Sequence, residues 1–210
     1  MQASPSPLGL ILAGGRSERM GGREKAMLSL GGRPMIAHVV ERLERQVERI
    51  VINANGDPVR FQGFGLPVIA DTVQGFAGPL AGLLAGLSYS LGAAGGAPVV
   101  TVAADTPFFP LDLVGRLADE QAGDGSRMVI AQSESGRHPT IGLWPASLLG
   151  DLTRYLASGS RKAGDWVERH RPAAVSFETI VAGGCRIDPF FNINRPEDLA
   201  RAETYAEALA

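Results

Sequence analysis

The fold is decided by the segment Leu8-Gly9-Leu10-Ile11-Leu12-Ala13-Gly14-Gly15. An uncharged apolar run, residues 8–12, gives way to paired glycines, a pattern typical of a buried parallel strand that ends in a turn. The polar, glycine-rich segment 14–25 that follows predicts a loop. The chain is therefore expected to begin its fold with a buried strand that runs into a polar loop.

Further apolar strands alternate with helices along the first half of the chain. The strands are predicted at residues 50–52, 67–70 and 98–103. Apolar residues at helical spacing from Met35 to Val47 predict an amphipathic helix of about four turns. A loop at 75–82 is expected to lead into an apolar helix that ends near Leu91. This alternation predicts an α/β fold, a Rossmann-like three-layer α/β/α sandwich with a mostly parallel sheet.

The second half continues with mixed elements. We predict helices near 111–120, 147–157 and 163–170, strands near 127–131, 139–144 and 174–178, and a closing helix from Pro196. A length of 210 residues suits one core, and no fixed-period repeat or low-complexity linker divides the chain. We therefore expect a single domain, 1–210.

Composition and charge exclude several classes of protein. With 45% hydrophobic and 20% charged residues, the chain is neither a disordered tail nor a coiled coil. A net charge of -2 gives no broad attraction to polyanions, so neither nucleic acid nor a membrane is an expected partner. Cys185, the single cysteine, cannot form an intrachain disulfide, which fits a reducing compartment. The cytoplasm is the expected location.

Polar residues follow the predicted strands at their carboxyl ends. Asn53, Asp71 and Asp105 each come directly after an apolar run, and the segment 13–25 follows the first strand. Ligands of open parallel sheets bind outside the carboxyl ends of the strands. The sequence therefore predicts a ligand site at this edge.

The loop after the first strand has the composition of a phosphate-binding loop. Gly14 and Gly15 leave room for backbone N–H groups to approach a phosphate, and Arg16, Arg19 and Lys25 add positive charge. Neither G-x-G-x-x-G nor G-x-x-x-x-G-K-[ST] is present, which disfavours a dinucleotide oxidoreductase and a P-loop NTPase.

Seven segments together carry a family resemblance. The loop from Leu12 to Gly22, with Lys25, resembles the signature of nucleotidyltransferases that attach NMP units to phosphorylated acceptors. With the later segments, the chain resembles more narrowly the molybdenum cofactor guanylyltransferases. Those segments are Asn53-Ala54-Asn55, Asp71, Gly78-Pro79-Leu80-Ala81-Gly82, Asp105-Thr106-Pro107, His138-Pro139-Thr140 and Asn192-Ile193-Asn194.

The resemblance implies transfer of GMP from GTP to the phosphate of molybdenum-molybdopterin, with release of pyrophosphate. Two polyanions meet in this reaction, so the resemblance implies a magnesium ion and basic side chains that offset their repulsion. It also implies a nucleotide-binding part at about 8–110, an acceptor-binding part at about 111–210, and transient contact with molybdenum-insertion proteins or apo-molybdoenzymes.

The same resemblance assigns the site residues. Those assigned to GTP are Leu12, Ala13, Gly14, Lys25, Asn53, Asp71 and Asp105. Lys25 and Asp105 are also the implied catalytic residues, Asp105 as the magnesium ligand. Those assigned to the acceptor are Gly82, Asn192, Asn194, Arg161 and Lys162.

Several of these residues have simpler interpretations. Asp105 could cap the helix that follows Pro107, and Asn53 could be a turn residue, as could Asp71. His138 is interpreted as an exposed loop residue in preference to an acid-base catalyst, because a phosphate nucleophile is already ionised.

Alternation of the two late asparagines with apolar residues suggests a shared orientation. Asn192 and Asn194 alternate with Phe191 and Ile193, so on a strand both amides would face the same side. That arrangement would suit a ligand.

Three alternative functions remain open. A molybdopterin cytidylyltransferase shares the fold and the reaction, although Gly15 and the loop 78–82 resemble the guanine-specific group. A sugar-phosphate nucleotidyltransferase usually carries proline before the lysine, where Glu24 stands here. A non-catalytic module that binds and delivers the finished cofactor would bind GTP without releasing pyrophosphate.

Overall fold

A computed structural model describes residues 6–14, 25–73 and 78–209. In those ranges the strands are β1 (Leu8–Leu12), β2 (Ser29–Leu30), β3 (Arg33–Pro34), β4 (Arg49–Asn53), β5 (Val68–Ile69), β6 (Val99–Ala103), β7 (Val129–Ser133), β8 (Gly136–Trp144), β9 (Ala173–Ser176), β10 (Ile180–Ala182) and β11 (Cys185–Ile187). The α-helices are α1 (Met35–Glu44), α2 (Pro79–Ala93), α3 (Leu113–Gln121), α4 (Leu149–Ala157), α5 (Ala163–Arg169) and α6 (Pro196–Leu209). Short 3-10 helices span Lys25–Met27, Pro58–Phe64 and Ala146–Leu148.

The main sheet has seven strands within the described ranges, in the order β5-β4-β1-β6-β8-β7-β9. β1 lies between β4 and β6, with Leu10 opposite Val51 on one side and Thr101 on the other, and both pairings are parallel. Only β8, among the described strands of this sheet, is paired antiparallel to its neighbours β6 and β7. The predicted mostly parallel α/β sheet is confirmed.

Helices cover both faces of the sheet. On one face, buried residues such as Leu43 of α1 and Leu117 of α3 pack on the sheet in one apolar cluster. On the other, Leu87 of α2, Leu152 of α4 and Trp166 of α5 belong to a second cluster. Strands that are covered on both faces read as continuous apolar runs, which is why the pattern in residues 8–12 predicts a parallel sheet.

A third cluster attaches the C-terminal helix to the rest of the chain. Ala202 of α6 packs with Leu30, Ile187 and Ile193. The β2–β3 and β10–β11 hairpins lie under this helix. Both hairpins were missed by the sequence analysis, because strands of two or three residues carry too little alternation to be recognised.

Two predicted boundaries are wrong. α1 ends at Glu44, three residues before Val47, which is buried in the turn after the helix and donates its N–H to Leu43 O at 3.1 Å. α2 begins at Pro79, so residues 79–82 form its first turn where a loop was predicted. Proline is well tolerated in the first turn of a helix, because the N–H group it lacks would have no helical acceptor there.

β8 departs from β6 halfway along its length. Pairing with β6 ends where Thr101 lies opposite Gly142. Pairing with β7 jumps from Gly142 to His138, so the intervening residues 139–141 are unpaired in both ladders. A Cβ atom on Gly142 would lie 2.5 Å from Val129 O, so this irregular pairing requires glycine. The first half of β8 therefore stands away from β6 and leaves a gap between them.

Candidate active site

The ends of three parallel strands are joined by main-chain hydrogen bonds. Ala13 donates its N–H to Asn53 O at 2.8 Å, which joins the end of β1 to that of β4. Ala104 donates its N–H to Leu12 O at 3.0 Å, which joins β6 to β1. Gly14 follows, and a Cβ atom there would meet nothing closer than 3.5 Å. The segment that the resemblance assigns to GTP thus lies at the carboxyl edge of the sheet.

Lys25, Asp105 and Asn194 meet at this edge. The Lys25 Nζ atom lies 3.4 Å from Asp105 Oδ2 and donates a hydrogen bond to Asn194 Oδ1 at 2.5 Å. The side chains of Lys25 and Asp105 are only 20% and 19% exposed. Ile193 N–H donates to Asp105 O at 2.9 Å, which fixes the segment that carries Asn194. Three distant parts of the sequence therefore form one polar site.

The environment of Asp105 favours a bound cation. Burial raises the pKa of its carboxyl group, and the nearby Lys25 ammonium opposes that rise. A cavity of about 60 Å3 adjoins the pair, lined by Leu12, Ala13, Lys25, Ala26, Ala104 and Asp105. The alternative interpretation of Asp105 as a helix cap is wrong, because α3 begins at Leu113 with Asp112 at its N-cap.

Asp105 is a candidate ligand for a divalent cation. Among the described residues, no group of three or more His, Cys, Asp and Glu side chains is arranged to hold a metal. Magnesium is commonly held by one or two carboxylates together with substrate phosphates and water. The site fits a divalent cation that shares Asp105 with the phosphates of a nucleotide.

Asn53, Asn55 and Asp71 form a hydrogen-bonded network at the ends of β4 and β5. The Asp71 carboxylate accepts from Asn53 Nδ2 at 2.9 Å and from Asn55 Nδ2 at 2.7 Å. Asn55 Oδ1 in turn accepts from the Asp71 backbone N–H at 3.0 Å. Asn53 is 3% exposed and also donates to Ile69 O at 3.3 Å. These residues hold two strand ends together, which goes beyond the role of ordinary turn residues.

Gly82 packs directly against this network. A Cβ atom there would lie 2.2 Å from Asn53 Oδ1 and 2.7 Å from Leu12 Cδ2. The position therefore requires glycine for a packing reason, next to residues assigned to GTP. Its assignment to the acceptor stays a prediction.

The segment that carries Asn192 and Asn194 is not a strand, so the predicted strand geometry is wrong. Asn194 is half-buried and bonded to Lys25, whereas Asn192 is exposed and lines a second, larger cavity. Asn192 thus lines the larger cavity, whereas Asn194 contacts Lys25, which lines the smaller one.

Arg161 and Lys162 lie in the connection between α4 and α5. Arg161 Nη1 donates to Leu156 O and to Ser160 O, both at 2.7 Å, and Tyr155 OH donates to Lys162 O at 2.9 Å. Their hydrogen bonds within the described chain are thus local. An acceptor-binding role for either residue stays a prediction.

Part of the predicted phosphate loop lies outside the described residues. Gly15, Arg16 and Arg19 belong to 15–24, and the start of the predicted loop at 75–82 falls in 74–77. The expected contacts of Gly15, Arg16 and Arg19 with phosphate stay predictions.

A polar cluster around His138 was missed by the sequence analysis. His138 is half-buried within β8, so its interpretation as an exposed loop residue is wrong. Its Nε2 atom lies 2.9 Å from Ser133 Oγ, which donates to Asp188 Oδ2 at 2.9 Å. The rings of His138 and Phe190 are 4.6 Å apart. The motif His138-Pro139-Thr140 was the available signal, but nothing in the sequence paired it with Asp188.

Comparisons with known proteins bear on the family to which the chain belongs. A family model described as the MobA-like NTP transferase domain matches residues 9–174. A molybdenum cofactor guanylyltransferase from Mesorhizobium japonicum is 45% identical over 202 residues, which covers 96% of each chain. Another, from Cereibacter sphaeroides, is 47% identical over 196 residues, covering 93% of this chain and 95% of that protein.

A solved structure supports the fold. The crystal structure of molybdopterin-guanine dinucleotide biosynthesis protein A from Archaeoglobus fulgidus matches with a TM-score of 0.72 at 24% identity, covering 95% of this chain and 98% of that one. The sequence comparisons support a narrower family assignment than this structural similarity does. On their strength, the chain belongs to the MobA-like NTP transferases and, among them, to the molybdenum cofactor guanylyltransferases.

Proposed function

We propose that this chain transfers GMP from GTP to the terminal phosphate of molybdenum-molybdopterin, which yields the guanine dinucleotide form of the cofactor and pyrophosphate. Curated relatives at about 45% identity over nearly the whole chain support this reaction and do not favour the cytidine alternative. The single structural observation that carries it is the half-buried Lys25–Asp105 pair at the end of β6.

The reaction requires the protein to position the two substrates and to offset their negative charge. It requires no nucleophilic side chain. The acceptor phosphate attacks the α-phosphorus of GTP and pyrophosphate leaves in line with it. Lys25 is the cation that contacts the phosphates and stabilises the leaving pyrophosphate. Leu12 and Ala13 present main-chain groups at the edge of the sheet, and Gly14 lets a nucleotide approach them closely.

The network of Asn53 and Asp71 lies on the nucleotide side of the same edge. Its hydrogen bonds hold the ends of β4 and β5 in one arrangement, which suits the recognition of a base and a sugar. We assign both residues to GTP and regard Asn55 as the residue that holds Asp71 in place.

Magnesium is the cation that we propose for Asp105. When bound, the ion neutralises phosphate charge and acts as a Lewis acid. The chain contributes a poorly hydrated carboxylate, which gains more from a cation than an exposed one would. Lys25 beside it keeps positive charge at the site before the nucleotide arrives.

The remaining assignments extend the proposal. Apart from Gly82, the residues assigned to the acceptor lie in the part of the chain after residue 110, with the nucleotide in the part before it, inside one domain. Transient contact with molybdenum-insertion proteins or apo-molybdoenzymes stays a prediction of the family resemblance, and a cytoplasmic location stays a prediction of the single cysteine. No described helix has the length and apolar character to span a membrane.

The test is pyrophosphate release by the whole chain with magnesium and molybdenum-molybdopterin. GTP, CTP, ATP and UTP are compared in parallel, each with and without the acceptor. GTP-selective, acceptor-dependent release is the expected result. Preference for CTP would replace the base assignment with a cytidylyltransferase, and GTP binding with no release would favour a delivery module.

A further inference from the structure

A second and larger cavity adjoins the Lys25–Asp105 site. Its volume is about 440 Å3, and it opens where the first half of β8 departs from β6. Ala103 and Thr106 line it, and these two residues flank Ala104 and Asp105, which line the smaller cavity. The two cavities therefore share the same turn after β6, so a ligand in the larger one lies next to the phosphate chemistry.

The wall of this cavity contains an ordered polar cluster. Ser133 Oγ has a single proton, and it donates that proton to Asp188 Oδ2 at 2.9 Å. Ser133 Oγ can then accept from His138 Nε2, at 2.9 Å from the same oxygen, in the tautomer that we assign to the ring, with its proton on Nε2. The neutral histidine ring consequently has its lone pair on Nδ1. Asp188 is itself fixed by the Phe190 backbone N–H at 2.8 Å.

The charges of the cluster agree with this arrangement. Burial lowers the pKa of His138, while Asp188 opposes that change, which favours the neutral ring at pH 7. Burial acts to raise the pKa of Asp188, but hydrogen bonds from Ser135, Phe190 N–H and Ser133 outweigh it and lower that pKa overall. The cluster thus presents an ionised carboxylate and a neutral, oriented imidazole.

The other walls suit a flat ring with polar edges. Phe190 and Phe191 provide aromatic surface, and Asn192 provides an amide donor and acceptor. Arg201 adds a guanidinium, which lies 4.7 Å above the Phe191 ring. A planar nitrogen heterocycle with N–H donors and a carbonyl oxygen is the ligand class that matches aromatic faces, an imidazole acceptor and a guanidinium donor.

We propose that this cavity binds the pterin ring of the acceptor, with His138 contacting the ring and Ser133 and Asp188 acting as positioning residues that orient His138. The proposal rests on the proposed function for the identity of the acceptor. It adds a ring-binding site built from residues of β7, β8 and the 188–192 segment. Among these residues, the family resemblance assigns only Asn192 to a ligand.

Two conservative variants test it in the full-length chain. His138→Phe keeps an aromatic ring against Phe190 and removes the nitrogens, and Asp188→Asn keeps the shape and removes the charge. We expect the KM for molybdenum-molybdopterin to rise about tenfold or more in each, the cost of a buried polar contact, with the KM for GTP unchanged. Asp124→Asn is the matched control, because Asp124 also accepts hydrogen bonds from a serine, Ser126, but lies in an exposed turn.

A binding measurement separates this proposal from the proposed function. Quenching of 6-hydroxymethylpterin fluorescence by the protein, without nucleotide or turnover, is expected for the wild type and for Asp124→Asn and is expected to weaken in both cavity variants. Equal quenching by all four proteins, or a GTP KM that rises in step with the acceptor KM, overturns the proposed cavity. Failure of the wild type to release pyrophosphate contradicts the proposed function whatever the pterin result.

Discussion

The Lys25 ammonium lies 2.5 Å from the Asn194 side-chain oxygen, 169 positions away in the sequence. An amide oxygen is a neutral acceptor, so it orients the ammonium without cancelling its charge. Asp105, at 3.4 Å, is the charged partner. Asn194 therefore provides a fixed position for the lysine that we assign to the phosphates of GTP.

Loss of this amide should weaken the use of GTP. In Asn194→Ala we expect kcat/KM for GTP to fall about ten- to a hundredfold, the value of one hydrogen bond to a charged donor. Pyrophosphate release measured over a range of GTP concentrations checks this. Asn192→Ala, assayed at saturating acceptor, is the comparison, because Asn192 lies in the neighbouring cavity proposed for the acceptor and its loss should raise the acceptor KM and leave GTP use unchanged. An equal loss in both variants would contradict a specific effect on Lys25.

Removal of the charge of Asp105 should abolish the response to divalent cations. Asp105→Asn keeps the volume of a side chain that is 19% exposed, so the fold should persist. We expect at least about a hundredfold loss of turnover at saturating magnesium, as expected when one strong electrostatic contact to a transition state is removed. A magnesium titration of both proteins, with a chelator as the zero point, measures it. An unchanged magnesium dependence would eliminate Asp105 as the ligand.

Two glycines of α2 offer a matched test of the Asn53 network. In Gly82→Ala the new methyl group would overlap Asn53 Oδ1, so Asn53 must move and its hydrogen bond to Asp71 is expected to break. We expect both a lower Tm and a higher KM for GTP. In Gly92→Ala the added atom has nothing within 4 Å, and stability should rise by up to about 1 kcal/mol. Equal Tm values for the two variants would show that the helix tolerates a methyl group at either position.

Acid should selectively remove a contact between α4 and α5. Asp151 Oδ2 accepts from Trp166 Nε1 and lies close to His170 Nε2, both at 2.9 Å. The Trp166 hydrogen bond is the largest cause that holds the pKa of Asp151 below its ordinary value of 3.8, with burial opposing and His170 assisting. A carboxyl group whose pKa is lowered on folding stabilises the protein above its unfolded-state pKa, and that stability is lost as the pH falls through the folded-state pKa.

The matching measurement is the free energy of unfolding of the wild type and Asp151→Asn at pH 7 and in acid below pH 4. Because the Asp151 side chain is 43% exposed, the advantage of the wild type at pH 7 should be below about 1 kcal/mol. We expect the difference to shrink in acid. A difference that stays constant between the two conditions would assign the stabilisation to shape alone.

The strands at the centre of the sheet were the most predictable elements. Helices cover both faces of the sheet, so its central strands are continuous apolar runs that can be recognised in the sequence. These runs are residues 8–12 and 98–103. Asp105 could be placed at an edge for the same reason, since the end of a strand fixes the position of the residue that follows it.

Contacts between distant segments could not be predicted in this way. His138 read as a loop residue because Pro139 follows it, but the unpaired stretch of β8 accommodates a proline that has no N–H to donate. Asp188 gave no pattern that linked it to Ser133, because hydrogen bonds between side chains 55 residues apart leave no local periodicity. Side-chain networks of this kind depend on tertiary packing alone.

Because β8 runs in the opposite direction to β6, the proposed acceptor contacts and the proposed nucleotide contacts depend on different strands and can change independently. β6 contributes its last residues to the edge where Asp105 lies, whereas β8 contributes its first ones. The short turn between Ser133 and Gly136 joins β7 and β8 into a single hairpin, and this hairpin carries His138. Under the proposed pterin cavity, exchange of that hairpin between homologues is expected to alter acceptor preference while β1, β4 and the proposed nucleotide contacts stay intact. The proposed cavity would therefore let acceptor preference diverge without loss of the nucleotide chemistry.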